Sequence, residues 1–318
     1  MKVVRYSGGM SETCCRGTIN ELKVLSKLAE EPKPAPFLLQ PYLGRDLWAW
    51  RSAGEHLHIL TDVCTGGDLS FYEGRYSEDM LALVSAEVIL GLNHLHRLGI
   101  VHHDIKPSNI LVNAAGHCVI SDYGGAQFLD RWKRIERDPC SMPVLTIQYA
   151  APELMSQNYV AYPAYNQAVD YWSLGATLVS LLMDSVLLPE AGDRALLTFR
   201  LKRIEDRLRV LDMSDKFQQF VMALLDEKPS RRPMYPDVCE LPFLKKLEPA
   251  SDAAFAPAFS IVKHMGVMAH GFQIDPPPAQ EIRVPVDLVQ RLRQEQLSLV
   301  VDNSYDVEVH HAGITSAL

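Results

Sequence analysis

Three side chains that could do chemistry together lie within six residues of the chain. Asp104, Lys106 and Asn109 supply a carboxylate, a cation and an amide, and a second carboxylate, Asp122, lies thirteen residues after Asn109. A carboxylate can orient a hydroxyl or accept its proton, a cation can offset charge on a moving phosphoryl group, and carboxylate and amide oxygens can hold Mg²⁺. Asp104 alone would be interpreted as a solvated turn carboxylate, but the four side chains together make up the inventory that phosphoryl transfer needs.

The elements on either side of this stretch must position it. Apolar residues at three- and four-residue spacing over 81–95 predict a long amphipathic helix before it, with Ser77 as the N-cap. After it, the apolar runs 110–112 and 118–120 flank a turn and predict a β-hairpin. Asp122 follows the second of these two strands directly.

The N-terminal part of the chain combines one helix with several short strands. Residues 1–6 alternate weakly and predict a strand, and leucine and isoleucine at three-residue spacing predict an amphipathic helix over 18–29. The apolar runs 37–39, 47–50 and 57–63 are separated by turn residues. We therefore expect a small antiparallel sheet in this part of the chain.

The C-terminal part is predicted to be helical and then to change character. The pattern indicates a buried helix over 169–183 and two more helices within 195–226. Alanine, proline and scattered apolar residues dominate 249–318, where only 286–299 has a helical pattern. We interpret 249–318 as a tail that is partly disordered and contains one helix, with a small helical domain as the alternative.

Composition excludes several classes of partner. The chain has 318 residues, 47% of them hydrophobic, and a net charge of −8 with a pI of about 5.8. This balance is ordinary for a globular protein and argues against binding nucleic acid or an anionic membrane through bulk charge. Six cysteines without a CxxC pair and a start without an apolar signal segment predict an intracellular protein, in the cytoplasm with the nucleus left open. Serine and aspartate interrupt the apolar run 172–188, which favours a buried helix over a membrane span.

The order and spacing of five motifs resemble the eukaryotic protein kinases of the Ser/Thr type. The motifs are Asp104-Ile105-Lys106-Pro107-Ser108-Asn109, Asp122-Tyr123-Gly124, Ala151-Pro152-Glu153, Asp170-Tyr171-Trp172-Ser173-Leu174-Gly175 and Arg231-Arg232-Pro233. The resemblance covers about residues 1–247. It implies an α+β, bilobal fold with a truncated, small, β-rich N-lobe over 1–67 and a mainly helical C-lobe over 68–247.

The resemblance also implies a role for each residue of the first stretch. Asp104 would be the catalytic base beside the substrate hydroxyl, and Lys106 would contact the γ-phosphate of ATP. Asn109 and Asp122 would bind Mg²⁺. Thr146 matches the threonine that contacts the catalytic aspartate and lysine in Ser/Thr kinases, so the expected partner is a protein substrate with a serine or threonine.

Outside this stretch the resemblance implies scaffold residues. Glu153 and Arg232 would form an ion pair, and Asp170 would anchor the backbone of the catalytic loop. His103 stands where the family usually has the arginine that grips a phosphorylated activation loop. A neutral imidazole cannot replace that contact, so we hypothesise that this protein does not depend on activation-loop phosphorylation in the usual way.

The resemblance further implies an ATP site in the N-terminal part. Lys2 would contact ATP, with Glu21 as its partner, and Thr61 would be the gatekeeper. Asp62 and Cys64 would belong to the adenine hinge, and Asp68 would approach the ribose. The alternative for Lys2 is a frayed terminal lysine, but its spacing to Glu21 and to the later strands favours the ATP contact. The implied cofactors are ATP and Mg²⁺.

One departure from the family leaves two functions open. The sequence has no G-x-G-x-x-G pattern, the glycine-rich loop that covers the phosphates, and it begins at the lysine strand. The first hypothesis is an ATP-dependent protein serine/threonine kinase, with runs at 37–40 and 241–244 resembling the AGC group. The alternative is a pseudokinase-like binding or scaffold module, or a truncated kinase with impaired ATP binding. The sequence does not predict an oligomeric state.

Overall fold

The computed structural model describes part of the chain and divides it into two compact units. The described residues are 2–5, 12–41, 49–52, 56–64, 66–72, 76–113, 116–137, 144–155, 163–183, 194–245, 298–301 and 307–310. The first unit comprises Met1–Ala35, Leu39–Val63 and Ile274–Leu318, and the second comprises Pro36–Leu38 and Cys64–Gln273. The second unit resumes at Cys64 rather than at residue 68, the boundary expected from the sequence.

Over its described residues up to 63, the first unit forms a three-stranded antiparallel sheet and one helix. Strands β1 (Lys2–Arg5), β2 (Ala49–Ser52) and β3 (His56–Ile59) pair in the order β1-β3-β2. Helix α1 (Glu12–Ala29) begins before the predicted residue 18 and buries one apolar face. The small sheet is therefore confirmed, but the run 37–39 is no strand, because Leu38 forms only an isolated bridge to Ile120 within the second unit.

The second unit is mainly helical. Its helices are α2 (Glu78–Arg97), α3 (Ala168–Leu182), α4 (Arg194–Val210), α5 (Asp215–Leu224) and α6 (Pro242–Lys245). The predicted N-cap of α2 is confirmed, because the Ser77 hydroxyl accepts a hydrogen bond from the Met80 N–H at 3.3 Å. A sheet-bearing unit and a helical unit together confirm the predicted α+β class.

Three short antiparallel strand pairs complete the second unit. The strands are β4 (Ile100–Val101), β5 (Ile110–Val112), β6 (Cys118–Ile120), β7 (Gln127–Phe128), β8 (Ile135–Glu136) and β9 (Ala164–Tyr165). They pair as β4 with β7, β5 with β6, and β8 with β9. The β5–β6 pair is the predicted hairpin.

Buried aromatic side chains hold the helices of this unit together. The ring of Phe243 lies 5.0 Å from the rings of both Phe217 and Phe220, and all three are buried. Trp172 on α3 is also buried, as predicted for that helix. Each such side chain contributes on the order of 2–3 kcal/mol by leaving water. The phenylalanine cluster thus joins α5 to α6, and the buried Trp172 lies on α3, whose first turn reaches the candidate site.

Two further strands, near the end of the chain, pair with each other in the first unit. Strand β10 (Ser298–Val301) pairs with β11 (Val307–His310) in antiparallel register. The helix predicted over 286–299 lies outside the described residues except for its last two positions, which belong to β10. Leucine and two valines follow Ser298, and such residues suit an extended chain. Within the described part of the chain, no helix combines the length and the apolar character that a membrane span requires.

Candidate active site

The structure brings three of the predicted site residues together in the loop after β4: Asp104 and Lys106, predicted as catalytic, and Asn109, predicted to bind Mg²⁺. The Lys106 Nζ lies 2.7 Å from the Asp104 Oδ2, and the Asn109 Nδ2 donates to the same oxygen at 3.0 Å and to the Asp104 carbonyl at 2.8 Å. Thr146 donates its backbone N–H to the Asp104 Oδ1 at 2.9 Å, and its hydroxyl accepts from Lys106 at 2.7 Å. The predicted contacts of Thr146 with the aspartate and the lysine are therefore confirmed.

These bonds set the charge of Asp104. Burial by itself would raise the pKa of Asp104, but the hydrogen bonds from Lys106 and Thr146 outweigh burial and hold that pKa below its usual value. Because of this lowered pKa, the Asp104 carboxylate is ionised at neutral pH. Asp104 is 7% exposed, so the ionised carboxylate still reaches solvent. An ionised carboxylate with a fixed direction can orient a hydroxyl that approaches from the solvent side.

Asp122 is placed next to this group by the β5–β6 hairpin. Ile110 pairs with Ile120, and Ser121 then donates both its N–H and its hydroxyl to the Asn109 carbonyl at 2.8 Å and 3.0 Å. The next residue, Asp122, is exposed and takes a left-handed φ of 59°, which aspartate tolerates better than most side chains. Asn109, directly before β5, and Asp122, two residues after β6, therefore lie at the same end of the hairpin.

The donor set at this end of the hairpin fits Mg²⁺. Both hydrogen bonds of the Asn109 amide use its nitrogen, so its oxygen is the atom suited to a cation, and Asp122 adds a carboxylate. Mg²⁺ usually takes one or two protein oxygens and completes its shell with water and phosphate. Among the described residues there is no group of three or more His, Cys, Asp or Glu side chains that could hold a metal. The Asn109 and Asp122 oxygens are therefore donors that could hold Mg²⁺.

Asp170, in the first turn of α3, anchors the backbone that leads to Asp104. Its two carboxylate oxygens accept the N–H of His102 at 3.0 Å and the N–H of His103 at 2.9 Å, which confirms the predicted scaffold role. The His96 ring lies 2.8 Å from the same carboxylate. Burial would raise the pKa of Asp170, but the hydrogen bond and charge of His96 bring it below its usual value. Sequence reasoning missed His96, because nothing in its helical position signals this contact.

The two histidines before Asp104 are buried and have different partners. His102 Nδ1 accepts the Asp104 N–H at 3.2 Å, so its other nitrogen donates to the Ser121 carbonyl at 3.0 Å. His103, at a φ of 68°, donates Nδ1–H to the Gly125 carbonyl at 3.0 Å. Both bonds tie the catalytic loop to the segment after β6.

His103 is a neutral side chain in this position. Burial lowers its pKa to about 4, the opposing effect of Asp170 being smaller, and its Nε2 has no hydrogen-bond partner within the described part of the chain. Its ring packs edge-on against Tyr165 of β9, with ring centroids 5.4 Å apart. An uncharged, enclosed imidazole offers no cation to a phosphate, which supports the hypothesis about activation-loop phosphorylation.

Two contacts that the sequence did not predict hold the segment between β6 and α3. A Cβ at Gly125 would overlap the Val144 carbonyl oxygen, so only glycine allows this approach of two backbones. Arg137 donates to the carbonyls of Glu153, Leu154 and Met155 at 2.8–3.2 Å. These contacts lie on either side of Thr146, and no local sequence signal identifies them.

In the first unit the structure confirms one predicted pair. The Lys2 Nζ lies 2.6 Å from the Glu21 Oε2, and Glu21 is buried on α1. Thr61 forms an isolated bridge with Pro41, and Asp62 donates its N–H to the Gln40 carbonyl at 3.1 Å. These bonds fix the backbone at the predicted gatekeeper and hinge.

The last two predicted nucleotide residues belong to the second unit. Cys64 is partly exposed and is its first residue after Val63. Asp68 bridges to Leu111 through its backbone, and its carboxylate accepts the N–H of Ser70 at 2.9 Å as well as the Ser70 hydroxyl. The carboxylate expected at a ribose therefore also holds the start of its own helical turn.

The structural pair predicted near the C-terminal end of this unit is also present. Arg232 and Glu153 form two parallel contacts, at 2.5 Å and 2.7 Å, and both side chains are buried. Such a bidentate pair is geometrically specific. The hydroxyl of Tyr123, which stands where the family usually has phenylalanine, donates to the Ile120 carbonyl at 3.1 Å.

Known proteins match this chain over the same region. The model of the protein kinase domain matches residues 2–244. A probable serine/threonine-protein kinase from Dictyostelium discoideum is 27% identical, covering 73% of this chain and 47% of its own length. Ribosomal protein S6 kinase alpha-4 from Homo sapiens is 30% identical, and the match covers 72% of this chain and 31% of that protein's length. Serine/threonine-protein kinase PEPKR2 from Arabidopsis thaliana is 37% identical, and the match covers 43% of this chain and 27% of that protein's length.

This chain thus spans less than half the length of these relatives. The family match nevertheless covers well over half of the chain and includes the Asp104 loop, the β5–β6 hairpin and the Asp170 anchor. The chain belongs to the protein kinase domain family.

Proposed function

We propose that this protein is an ATP-dependent protein serine/threonine kinase that transfers the γ-phosphoryl group of Mg-ATP to a protein hydroxyl. Protein kinases generally use ATP and Mg²⁺ and act on protein substrates. The observation that carries the proposal is the Asp104 carboxylate, held at once by Lys106, Asn109 and the Thr146 N–H. A carboxylate fixed from three directions has the preorganisation that phosphoryl transfer needs.

Within this group Asp104 orients the hydroxyl of the substrate. Its lowered pKa makes it a weak base in the ground state, so its first task is to point the hydroxyl oxygen at the phosphorus. It accepts the hydroxyl proton as the new oxygen–phosphorus bond forms, while the bond from the γ-phosphorus to the β,γ-bridging oxygen breaks and ADP leaves with that oxygen. Lys106, close to both Asp104 and Thr146, offsets the charge on the transferring group.

The nucleotide and its metal would be held by the residues proposed from the sequence. Asn109 and Asp122 would ligate Mg²⁺, which neutralises phosphate charge when it is bound. Six other residues would contact the nucleotide or support those contacts: Lys2, Glu21, Thr61, Asp62, Cys64 and Asp68. The Lys2–Glu21 ion pair at 2.6 Å supports this assignment, because it fixes the lysine amine on α1.

The domain organisation proposed with this function assigns 1–247 to the kinase domain and 249–318 to a tail. Its N-lobe and C-lobe would be 1–67 and 68–247, close to the division of the two units at Cys64.

The test is phosphoryl transfer from labelled ATP to a mixture of serine- and threonine-containing peptides. Asp104→Asn should lower the rate by about 10²–10⁴-fold while nucleotide binding changes little, because the amide keeps the shape but not the charge. Asp79→Asn, an exposed aspartate on α2, is the matched control and should keep full activity. Equal activity of Asp104→Asn would remove Asp104 from the mechanism. Nucleotide binding without any turnover by the unaltered protein would instead support the binding-module alternative.

A further inference from the structure

An exposed turn between β7 and β8 combines cations with an exposed indole. Residues 131–134, named here the basic-aromatic turn, are Arg131, Trp132, Lys133 and Arg134, and all four are exposed. Trp132 is 58% exposed, although an indole normally lies largely buried. Neither the proposed catalysis nor the core of the second unit uses this turn.

The turn is held in one shape by its own hydrogen bonds. The Asp130 carboxylate accepts the N–H of Trp132 at 2.8 Å and that of Arg134 at 3.0 Å, and the Lys133 N–H reaches the Asp130 carbonyl at 2.9 Å. The guanidinium carbons of Arg131 and Arg134 lie 3.8 Å and 5.3 Å from the indole centroid, within cation–π range. The side chains are therefore ordered before any partner arrives, which lowers the entropy cost of binding.

Two of the three cations have no ion-pair partner in the described part of the chain. Arg134 contacts the carboxylates of Asp130 and Glu136, both at 3.4 Å, whereas Arg131 and Lys133 contact none there. The protein as a whole has a net charge of −8. The turn is thus a local cationic surface on an acidic protein, and it attracts an anionic group of limited size.

Both ends of the turn are attached to strands beside the catalytic loop. On one side β7 pairs Gln127 with Val101, which lies three residues before Asp104. On the other side β8 pairs with β9, whose Tyr165 packs against His103. Counting residues along the paired strands, Arg131 lies no more than about 30 Å from Asp104, the reach of about nine extended residues.

We propose that the basic-aromatic turn is a docking site for an acidic segment of the protein substrate, up to about nine residues away from the hydroxyl that is phosphorylated. This rests on the kinase function proposed above. Carboxylates match guanidinium groups in a bidentate manner, and Trp and Arg are the side chains most enriched at binding hot spots. The acidic peptide is favoured over nucleic acid or an anionic membrane, because the net charge of −8 repels an extended polyanion.

The first experiment measures docking without catalysis. A dye-labelled peptide of glutamate and aspartate that lacks Ser, Thr and Tyr is titrated with the full chain, and its anisotropy is followed at two salt concentrations. The double variant Arg131→Gln/Lys133→Gln should weaken binding by about tenfold, and added salt should reduce the difference. The matched control is Lys202→Gln/Arg203→Gln on α4, where Arg203 lies 5.9 Å from the ring of the exposed Phe199.

This control removes the same charge beside another exposed aromatic ring, and it should bind the peptide as tightly as the unaltered protein. Equal weakening by both double variants would overturn the proposal, because it would mean that bulk charge binds the peptide. The proposal would also fail if single-stranded DNA or vesicles with anionic lipid bound more tightly than the peptide and lost affinity in the turn variant alone. That result would assign the turn to a different partner.

The second experiment separates docking from the chemical step. Two peptides share one serine acceptor, and one of them carries acidic residues five to nine positions away. The turn variant should raise KM about tenfold for the acidic peptide, leave kcat unchanged and leave both constants unchanged for the neutral peptide. A fall in kcat for both peptides would refute docking as the role of the turn. If the unaltered protein phosphorylates neither peptide, the kinase proposal fails, while the anisotropy titration still decides whether the turn binds an acidic peptide.

Discussion

The burial of His103 predicts how the free energy of unfolding changes with pH in the acid range. In the unfolded chain a histidine binds a proton at its ordinary pKa of about 6.5, whereas burial lowers the folded-state value to about 4. Between these two pH values the unfolded chain holds a proton that the folded chain excludes. The free energy of unfolding therefore rises with pH across this window, and above pH 6.5 His103 contributes no pH dependence.

The size of the effect follows from the two pKa values. Their difference corresponds to about 3 kcal/mol once the pH lies below both, and to about 2 kcal/mol at pH 5. Asp104 and Asp170 have lowered pKa values, so their own contributions are lost only as pH falls below the ordinary aspartate value of 3.8. The window from pH 4.5 to 6.5 therefore isolates the histidine from these two carboxylates.

The variant His103→Asn removes the titration and keeps the geometry. An asparagine amide can donate to the Gly125 carbonyl as Nδ1 does, and asparagine tolerates the left-handed φ of 68°. Urea unfolding at pH 8, 6 and 5 gives the free energy of unfolding for both proteins. The unaltered protein should lose about 2 kcal/mol more than the variant between pH 8 and pH 5. Parallel losses in the two proteins would show that His103 is not enclosed as a neutral side chain.

Two further changes test buried contacts of the second unit. Gly125→Ala should displace the backbone at Val144 and lower the free energy of unfolding by about 1–3 kcal/mol, which urea unfolding would measure. It should also reduce phosphoryl transfer in the peptide assay. Unchanged values of both would contradict the close approach of the two backbones. Arg232→Met should cost about 3–5 kcal/mol, because it leaves the Glu153 carboxylate buried without a cation, and adding Glu153→Gln should recover most of the loss; no recovery would mean that Arg232 acts mainly by packing.

The sequence predicted which side chains the site brings together because most of them are close in the chain. Asp104, Lys106 and Asn109 lie in one short loop, so their spacing alone limits how far apart they can be. The hairpin that places Asp122 is also local, since its two strands are joined by one turn. The amphipathic helix α2 and its N-cap are likewise written in neighbouring residues, and both were confirmed.

The contacts that hold the loop in place were only partly predictable. Asp170 and Thr146 could be named by resemblance, but His96, Gly125 and Arg137 act across long separations and carry no local signal. The run 37–39 shows the same limit, because its β-strand composition was not matched by a partner strand. An apolar run can predict an extended chain, but the pairing that makes it a strand depends on the rest of the fold.

The orientation of Asp104 and Lys106 depends on Thr146 as well as on their own loop. Asp104 and Lys106 contact each other within the loop, but each also contacts Thr146, through the N–H at 2.9 Å and the hydroxyl at 2.7 Å. Since both contacts are hydrogen bonds, we expect a displacement of residue 146 by about 1 Å to break them together. Asp104 and Lys106 would then keep their places in the loop but lose the residue that orients both of them.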